Sequence, residues 1–185
     1  MKKSIGVVVY GGTGYGAGEL LRLLSVHPHA EVAVVVSSSR AGSLVCDTHR
    51  FLGKISTLAF VGELDFSVFD GYETGVIVAS LPHGASAKTI SGLVPEADKR
   101  GLKIIDLSGD FRLHDALEHK KHYGEDAVSK ELRTRFVYGL PELFRNELRQ
   151  AQFVSNPGCL ATACILAGLV LVKAGVVSSL VCDAK

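Results

Sequence analysis

The chain has no excess of charge of one sign, with 20 Lys and Arg against 19 Asp and Glu. That balance removes the bulk field by which a basic protein finds nucleic acid or an anionic membrane, so recognition has to come from a site. Long hydrophobic runs are missing too. The longest, from Leu160 to Val172, falls short of the roughly 20 residues of a membrane span and reads as a core helix. The opening MKKSIGVVVYGG has the basic start of a signal peptide, but its apolar part is shorter than the roughly 7 to 15 residues of a signal core and runs into glycines. A cytoplasmic protein is expected. Cys46, Cys159, Cys164 and Cys182 show neither C-x-x-C spacing nor paired histidines nearby, which argues against a metal site and, in that compartment, against disulfides. Three of them are expected to be packing residues. Repeats, low-complexity tracts and Pro/Ser linkers are absent as well.

What is present is apolar and periodic. At 185 residues and 47% hydrophobic, the chain can bury the core of one domain or one and a fraction. Apolar runs (IGVVVY, EVAVVVS, GVIVAS, LKIIDLS) alternate with helix-period segments such as GAGELLRLLSV and SAKTISGLVPEADKR. Strands so rich in Val and Ile predict a parallel sheet covered on both faces, and right-handed crossovers make it a doubly wound, Rossmann-type α/β fold. The polar stretch from His114 to Arg135 reads as a solvated helix and loop. The closing SSLVCDAK reads as a strand that has only begun, as though the chain were cut inside a larger fold.

Between the first strand and its helix, VVVYGGTGYGAGELLRLL carries Gly11, Gly12, Gly14, Gly16 and Gly18, a G-x-x-G-x-x-A pattern with Ala17 in the third small position. A tight turn, a backbone close enough to touch a pyrophosphate and free N–H groups at a helix start are what a dinucleotide site needs. After the second strand, an acidic residue would bind the ribose hydroxyls of NAD. The chain instead offers Ser37, Ser38 and Arg40, with no carboxylate to repel a 2′-phosphate, so NADP is preferred over NAD.

Ligands of open α/β sheets lie beyond the carboxyl ends of the strands, where SLPHGAS, DLSGDFR, YGLPE and SNPGC fall. His83 either touches the cofactor or caps the helix that begins near Ser86. Arg112 either captures a carboxylate or phosphate with both arms of its guanidinium or pairs with Asp110 or Asp106. Glu142, after Pro141, reads as the first-turn acid of a helix running to Leu148. In SNPGC, Asn156 suits the N-cap and Pro157 the first helical position, so Cys159 lies in the first turn. There the free amides and the positive helix end favour a thiolate, and Gly158 leaves the sulfur open to approach. Cys164 reads as core. A dinucleotide site, an anion-binding Arg and a poised thiol together permit hydride exchange at a thioester.

The segments GGTGYGAGELLRLLSVHP, LPHGASA, IDLSGDFRL, YGLPELFR and SNPGC, in this order over nearly the whole chain, closely resemble the N-acetyl-gamma-glutamyl-phosphate reductases, which are similar in architecture to aspartate-semialdehyde dehydrogenase. The resemblance implies NADPH-dependent reduction of a small-molecule acyl phosphate to a semialdehyde, with Cys159 as nucleophile. It also implies that Gly11, Thr13, Gly14, Tyr15, Gly16 and Ala17 hold the NADP phosphates, that Pro82, His83 and Gly84 lie at the cofactor, and that Ser108, Arg112 and Asn156 lie at the substrate. Residues 1–155 then form the dinucleotide-binding domain, and 156–185 begin a truncated α+β catalytic and dimerisation domain. The family's acid/base histidine is expected after Lys185, none of the seven histidines here matches it, and a homo-oligomer is expected of the full-length protein. This chain departs from the family at Ser38, where an arginine is usual and Arg40 is displaced, and at Leu160 and Ala161, where tyrosine and proline are usual. A lysine-biosynthesis reductase acting on aminoadipyl phosphate, an aspartyl-phosphate reductase and a non-catalytic dinucleotide-binding module are the alternatives.

Overall fold

In a computed structural model, residues 4–55, 57–124 and 128–183 are described. The strands are β1 (Ile5–Tyr10), β2 (Ala30–Val36), β3 (Phe60–Val61), β4 (Thr74–Ala79), β5 (Lys103–Asp106), β6 (Phe136–Tyr138) and β7 (Phe153–Ser155). They form one seven-stranded sheet in the order β3-β2-β1-β4-β5-β7-β6, parallel at every pairing. The order reverses between β1 and β4, which opens a crevice at their carboxyl ends beside Tyr10 and Ala79. The short strands β3 and β6, each at an edge, are not predicted from sequence, because two or three residues carry no readable period.

Successive side chains of a strand point to opposite faces, and the core divides accordingly. Val7 and Val9 of β1 and Val78 of β4 pack on one face with Ala17 and Leu21 of helix α1 (Tyr15–Ser25) and with Val45 of the short α2 (Val45–Thr48). Val8, Ile77 and Ala79 turn to the other face, under Ile90, Leu93 and Ala97 of α3 (Ala85–Arg100). Each fully buried aliphatic side chain contributes roughly 1.5–3 kcal/mol, so two complete layers hold the sheet rigid beneath its loops. Phe111, fully buried, stacks on Phe136 at 4.0 Å between ring centroids. That ring pins the loop after β5 and fixes where its neighbour Arg112 starts.

The polar stretch folds as α4 (Ala116–Tyr123) and α5 (Lys130–Arg133), though His119 and Arg133 within it are buried. Next come α6 (Pro141–Gln150) and α7 (Cys159–Lys173). Three expectations need correction here. The apolar run from Leu160 is a helix but not a core helix, since Gly168 is its one buried residue among those described and Val170 is 71% exposed. Its apolar residues surround the axis rather than forming one stripe, so a single neighbour cannot cover them. Residues 178–183 form no strand. Cys182 is exposed, while Cys46 and Cys164 are half-buried, so the packing role fails for Cys182 and is partial for the others. Among the described residues, no helix is long and apolar enough to cross a membrane.

Candidate active site

The glycine-rich turn follows β1 directly. Gly11 has φ +72°, and a Cβ there would lie 2.3 Å from the Ser80 carbonyl oxygen, so glycine is required by both backbone and space. A Cβ at Gly14 would meet nothing within 4 Å, and one at Gly16 only the Ser80 hydroxyl at 3.6 Å. These two therefore border open space. Helix α1 begins at Tyr15 with Gly14 as its N-cap and no side chain over its first-turn amides, which is the arrangement that receives an anion. Gly11, Thr13, Gly14, Ser37, Ser38 and Pro82 line a groove of about 600 Å³. An uncapped helix start and an open glycine cradle on one groove fit a dinucleotide.

Six predicted cofactor residues stand apart from that lining, of which Gly16 and His83 line the adjoining cavity instead. Tyr15 is 98% exposed and Arg40 is exposed at the end of a 3-10 turn. The Ala17 side chain is fully buried, so it serves the close packing of α1 on the sheet. Gly84, with φ +75°, turns its N–H to the Asp110 carboxylate at 2.9 Å.

A second cavity, of about 980 Å³, adjoins the groove across Leu81, Pro82 and Leu107, which line both. Around it stand Gly16, His83, Ser108, Arg112, Glu142, Asn156 and Cys159. Cys159 is the exposed first residue of α7, whose N-cap is Gly158 with no side-chain cap. Asn156 is therefore not the N-cap. Its amide nitrogen instead donates to the Pro157 carbonyl at 3.1 Å, and Asn156, Pro157 and Gly158 form a short non-helical link between β7 and α7, extended at Gly158. The thiol still starts the helix, and the uncapped amides beside it present the same positive end.

Arg112 pairs with neither Asp110 nor Asp106. Its Nε donates to the Asn156 carbonyl at 2.7 Å and its Nη2 to the Leu107 carbonyl at 2.9 Å. Two fixed carbonyls lock the guanidinium between the strand loops, and the Nη1 protons stay available. A Cβ on Gly158 would approach Nη1 to 3.1 Å, so glycine at this position admits both the arginine and the thiol. His83 does not cap α3. Its Nδ1 accepts the Gly109 N–H at 2.8 Å, which puts the ring proton on Nε2, and the longer 3.7 Å approach to Asp110 is secondary. It is the one histidine among those described that lines this cavity. Glu142 lies in the first turn of α6, as predicted.

Two carboxylates that sequence reading left unassigned hold the loops together. Asp106, fully buried at the end of β5, accepts the Ser86 hydroxyl at 2.5 Å and the Ser108 N–H at 3.1 Å on one oxygen, and the Ser108 hydroxyl at 2.7 Å on the other. Burial, the largest influence, together with the nearby Asp110 charge pushes the Asp106 carboxyl above its usual range, against the downward pull of the three hydrogen bonds. Ser108 in turn accepts the Asp110 N–H, so its hydroxyl is engaged on both sides and its place at the cavity is supportive. Asp110 accepts the Gly84 and Ala87 N–H groups and is thereby the cap of α3, supplied from another loop. The cue in sequence was the spacing D-x-S-x-D at a strand end, but a cap reaching across 23 residues has no local signature.

Residues 6–151 match the family model described as the NAD-binding domain of semialdehyde dehydrogenase. An N-acetyl-gamma-glutamyl-phosphate reductase of Pseudomonas putida is 44% identical over 98% of the chain and 52% of its own length. One of Bacillus cereus is 37% identical over 97% of the chain and 51% of its own length. A protein of Pyrococcus horikoshii, named for reduction of LysW-bound aminoadipate and glutamate phosphates, is 43% identical over 88% of the chain and 45% of its own length. The chain thus spans about half the length of the curated relatives it matches. The crystal structure of aspartate semialdehyde dehydrogenase with NADP from Candida albicans shares the fold, with a TM-score of 0.56 at 16% identity over 91% of this chain and 47% of that one. On the match over most of its length, the chain belongs to the semialdehyde dehydrogenase NAD-binding domain family.

Proposed function

We propose that this chain carries the cofactor site and nucleophile of an NADPH-dependent N-acetyl-gamma-glutamyl-phosphate reductase. The observation that carries the reading is that Cys159 and Arg112 line one cavity, which shares a wall with the glycine-rich groove. The Cys159 thiolate attacks the acyl carbon of the acyl phosphate, the C–S bond forms, and the C–O bond to phosphate breaks. The unpartnered Arg112 protons face the anionic end of the substrate, and the amides at the start of α7 stabilise the negative oxygen that develops on the acyl carbon. NADPH, when bound, supplies the hydride that converts the thioester to aldehyde and regenerates the thiolate. Thr13, Gly14 and the first turn of α1 would hold its pyrophosphate, and Ser37 and Ser38 its adenosine end.

In the same reading, residues 1–155 are the dinucleotide domain and 156–185 begin the catalytic and dimerisation domain of a cytoplasmic, homo-oligomeric enzyme. The apolar and largely exposed α7 supports a covered position in that assembly. The relatives differ in the acyl phosphate that they are named for, and the Pyrococcus relative makes aminoadipyl phosphate the second substrate to test.

The test is acyl uptake without NADPH. Incubation with N-acetyl-gamma-glutamyl phosphate should release phosphate and leave one acyl adduct on Cys159, mapped by peptide mass spectrometry. Release without an adduct, or an adduct on Cys46, would overturn the assignment. Gly158→Ala probes the guanidinium beside the sulfur. Its Cβ has to displace Nη1 by a few tenths of an ångström, and acyl uptake should slow roughly tenfold through misplacement of the anion clamp while the unfolding temperature stays close to wild type.

A further inference from the structure

The residue that shapes the dinucleotide groove from beneath does not line it. His49 follows α2 and is 4% exposed. Its Nε2 lies 2.6 Å from the Gly12 carbonyl oxygen. A carbonyl only accepts, so Nε2 carries a proton and donates. The other ring nitrogen, Nδ1, faces α1 where a Cβ on Gly18 would lie 2.6 Å away, and Phe51 meets the ring edge-on at 5.8 Å between centroids. The imidazole is thus wedged between the turn and the helix that the turn opens. On its other side, Gly12 is held by its own N–H to the Val36 carbonyl of β2 at 3.4 Å.

We propose that His49 is a positioning residue for the dinucleotide, acting through the Gly12–Thr13 peptide. A trans peptide is planar, with C=O and N–H pointing in opposite directions. Fixing the Gly12 oxygen inward on His49 therefore aims the Thr13 N–H outward, on the exposed side where Thr13 lines the groove. Without the imidazole donor, that peptide plane is free to rotate, and one amide of the anion cradle loses its direction. The absent side chain at Gly18 is the other half of the device, because it makes room for the ring. This rests on the dinucleotide reading of the groove.

The test is a cycle of variants, titrated with NADPH by its own fluorescence at a temperature well below every unfolding midpoint. His49→Ala should weaken NADPH binding roughly five- to tenfold, the scale of one buried hydrogen bond, while His49→Gln, which keeps a donor, should stay within about threefold of wild type. Gly18→Ala should cause a similar loss by displacing the ring, and a clearly smaller one in the His49→Ala background, where the new methyl meets only the edge of Phe51, whose Cζ lies 3.0 Å from it. If His49→Ala does not fold, Gly18→Ala and His49→Gln carry the comparison. Equal NADPH affinity in wild type and His49→Ala, or losses at Gly18 and His49 that simply add, would overturn the inference, as would a lower unfolding temperature with unchanged affinity. Wild-type protein that binds neither NADPH nor NADH would remove the dinucleotide reading itself and this inference with it.

Discussion

Cys159→Ser should abolish acyl uptake, by a factor on the order of 10³ or more, while NADPH affinity and the unfolding temperature should stay at wild-type values. The separation follows from where the residue sits. Cys159 is exposed at the first position of α7, so replacing sulfur by oxygen opens no cavity and breaks no buried contact. Serine is also well tolerated in a first helical turn, where helix dihedrals ask little of the side chain. Chemistry is the part that suffers: an alcohol is a weak nucleophile unless a neighbouring base activates it, whereas a thiol is partly ionised near neutrality. Of the titratable side chains that line the cavity, His83 accepts the Gly109 N–H on Nδ1 and Glu142 stands in the first turn of α6, and neither is hydrogen-bonded to Cys159. The glycine-rich groove, which shares only Leu81, Pro82 and Leu107 with this cavity, is left intact. Phosphate release and adduct mass, followed side by side with NADPH titration, check all three expectations. An adduct that persists in Cys159→Ser, carried by Cys46 or Cys182, would remove the nucleophile from α7.

The parts of this protein that were legible in its sequence are those with a local signature. Near-continuous Val and Ile in IGVVVY and GVIVAS announced strands buried on both faces, and Val7, Val8 and Val9 do face opposite layers in turn. The glycine pattern announced the turn, because only glycine tolerates φ +72° at Gly11. What stayed hidden depends on contacts between distant segments. Asp110 caps α3 from a different loop, His49 reaches Gly12 across 37 residues, and Arg112 is anchored on carbonyl oxygens, which every residue has and no pattern reveals. Asn156 shows the converse error. Its identity and the following proline fit a helix start, but β7 runs extended through Ser155, and Asn156 N–H is taken by the Asp106 carbonyl at 2.7 Å. The helix then waits until Cys159, and strand pairing overrides the local capping preference.

That same Asp106 is where a single substitution should cost most stability. Its carboxylate is fully buried and accepts three protein hydrogen bonds, from the Ser86 hydroxyl and from the N–H and hydroxyl of Ser108. Asp106→Ala leaves those donors buried without an acceptor, which destabilises by roughly 2–4 kcal/mol and lowers the unfolding midpoint by roughly 4–16 °C for a chain of this size. Asp106→Asn is milder, since its amide oxygen keeps two of the donors and the Ser108 hydroxyl can turn to accept from the new NH₂ group. The pH dependence separates the two effects. Burial holds the Asp106 carboxyl above its ordinary value of 3.8, so in the window from there up to its raised native value the folded protein binds more protons than the unfolded chain. Stability from this group therefore falls as pH rises through that window, opposite in sign to a salt-bridged acid such as Asp98, whose carboxyl Arg135 holds low. Subtracting the Asp106→Asn melting curve from that of wild type across mildly acidic pH should isolate a difference that grows against the wild type as pH increases. A flat difference would mean that the Ser86 and Ser108 hydrogen bonds balance burial, and one of the other sign that they outweigh it and hold Asp106 as an ionised carboxylate. Because Ser108 and the Leu107 carbonyl lie on the loop that Asp106 organises, the alanine variant should also slow acyl uptake at temperatures where it is still folded.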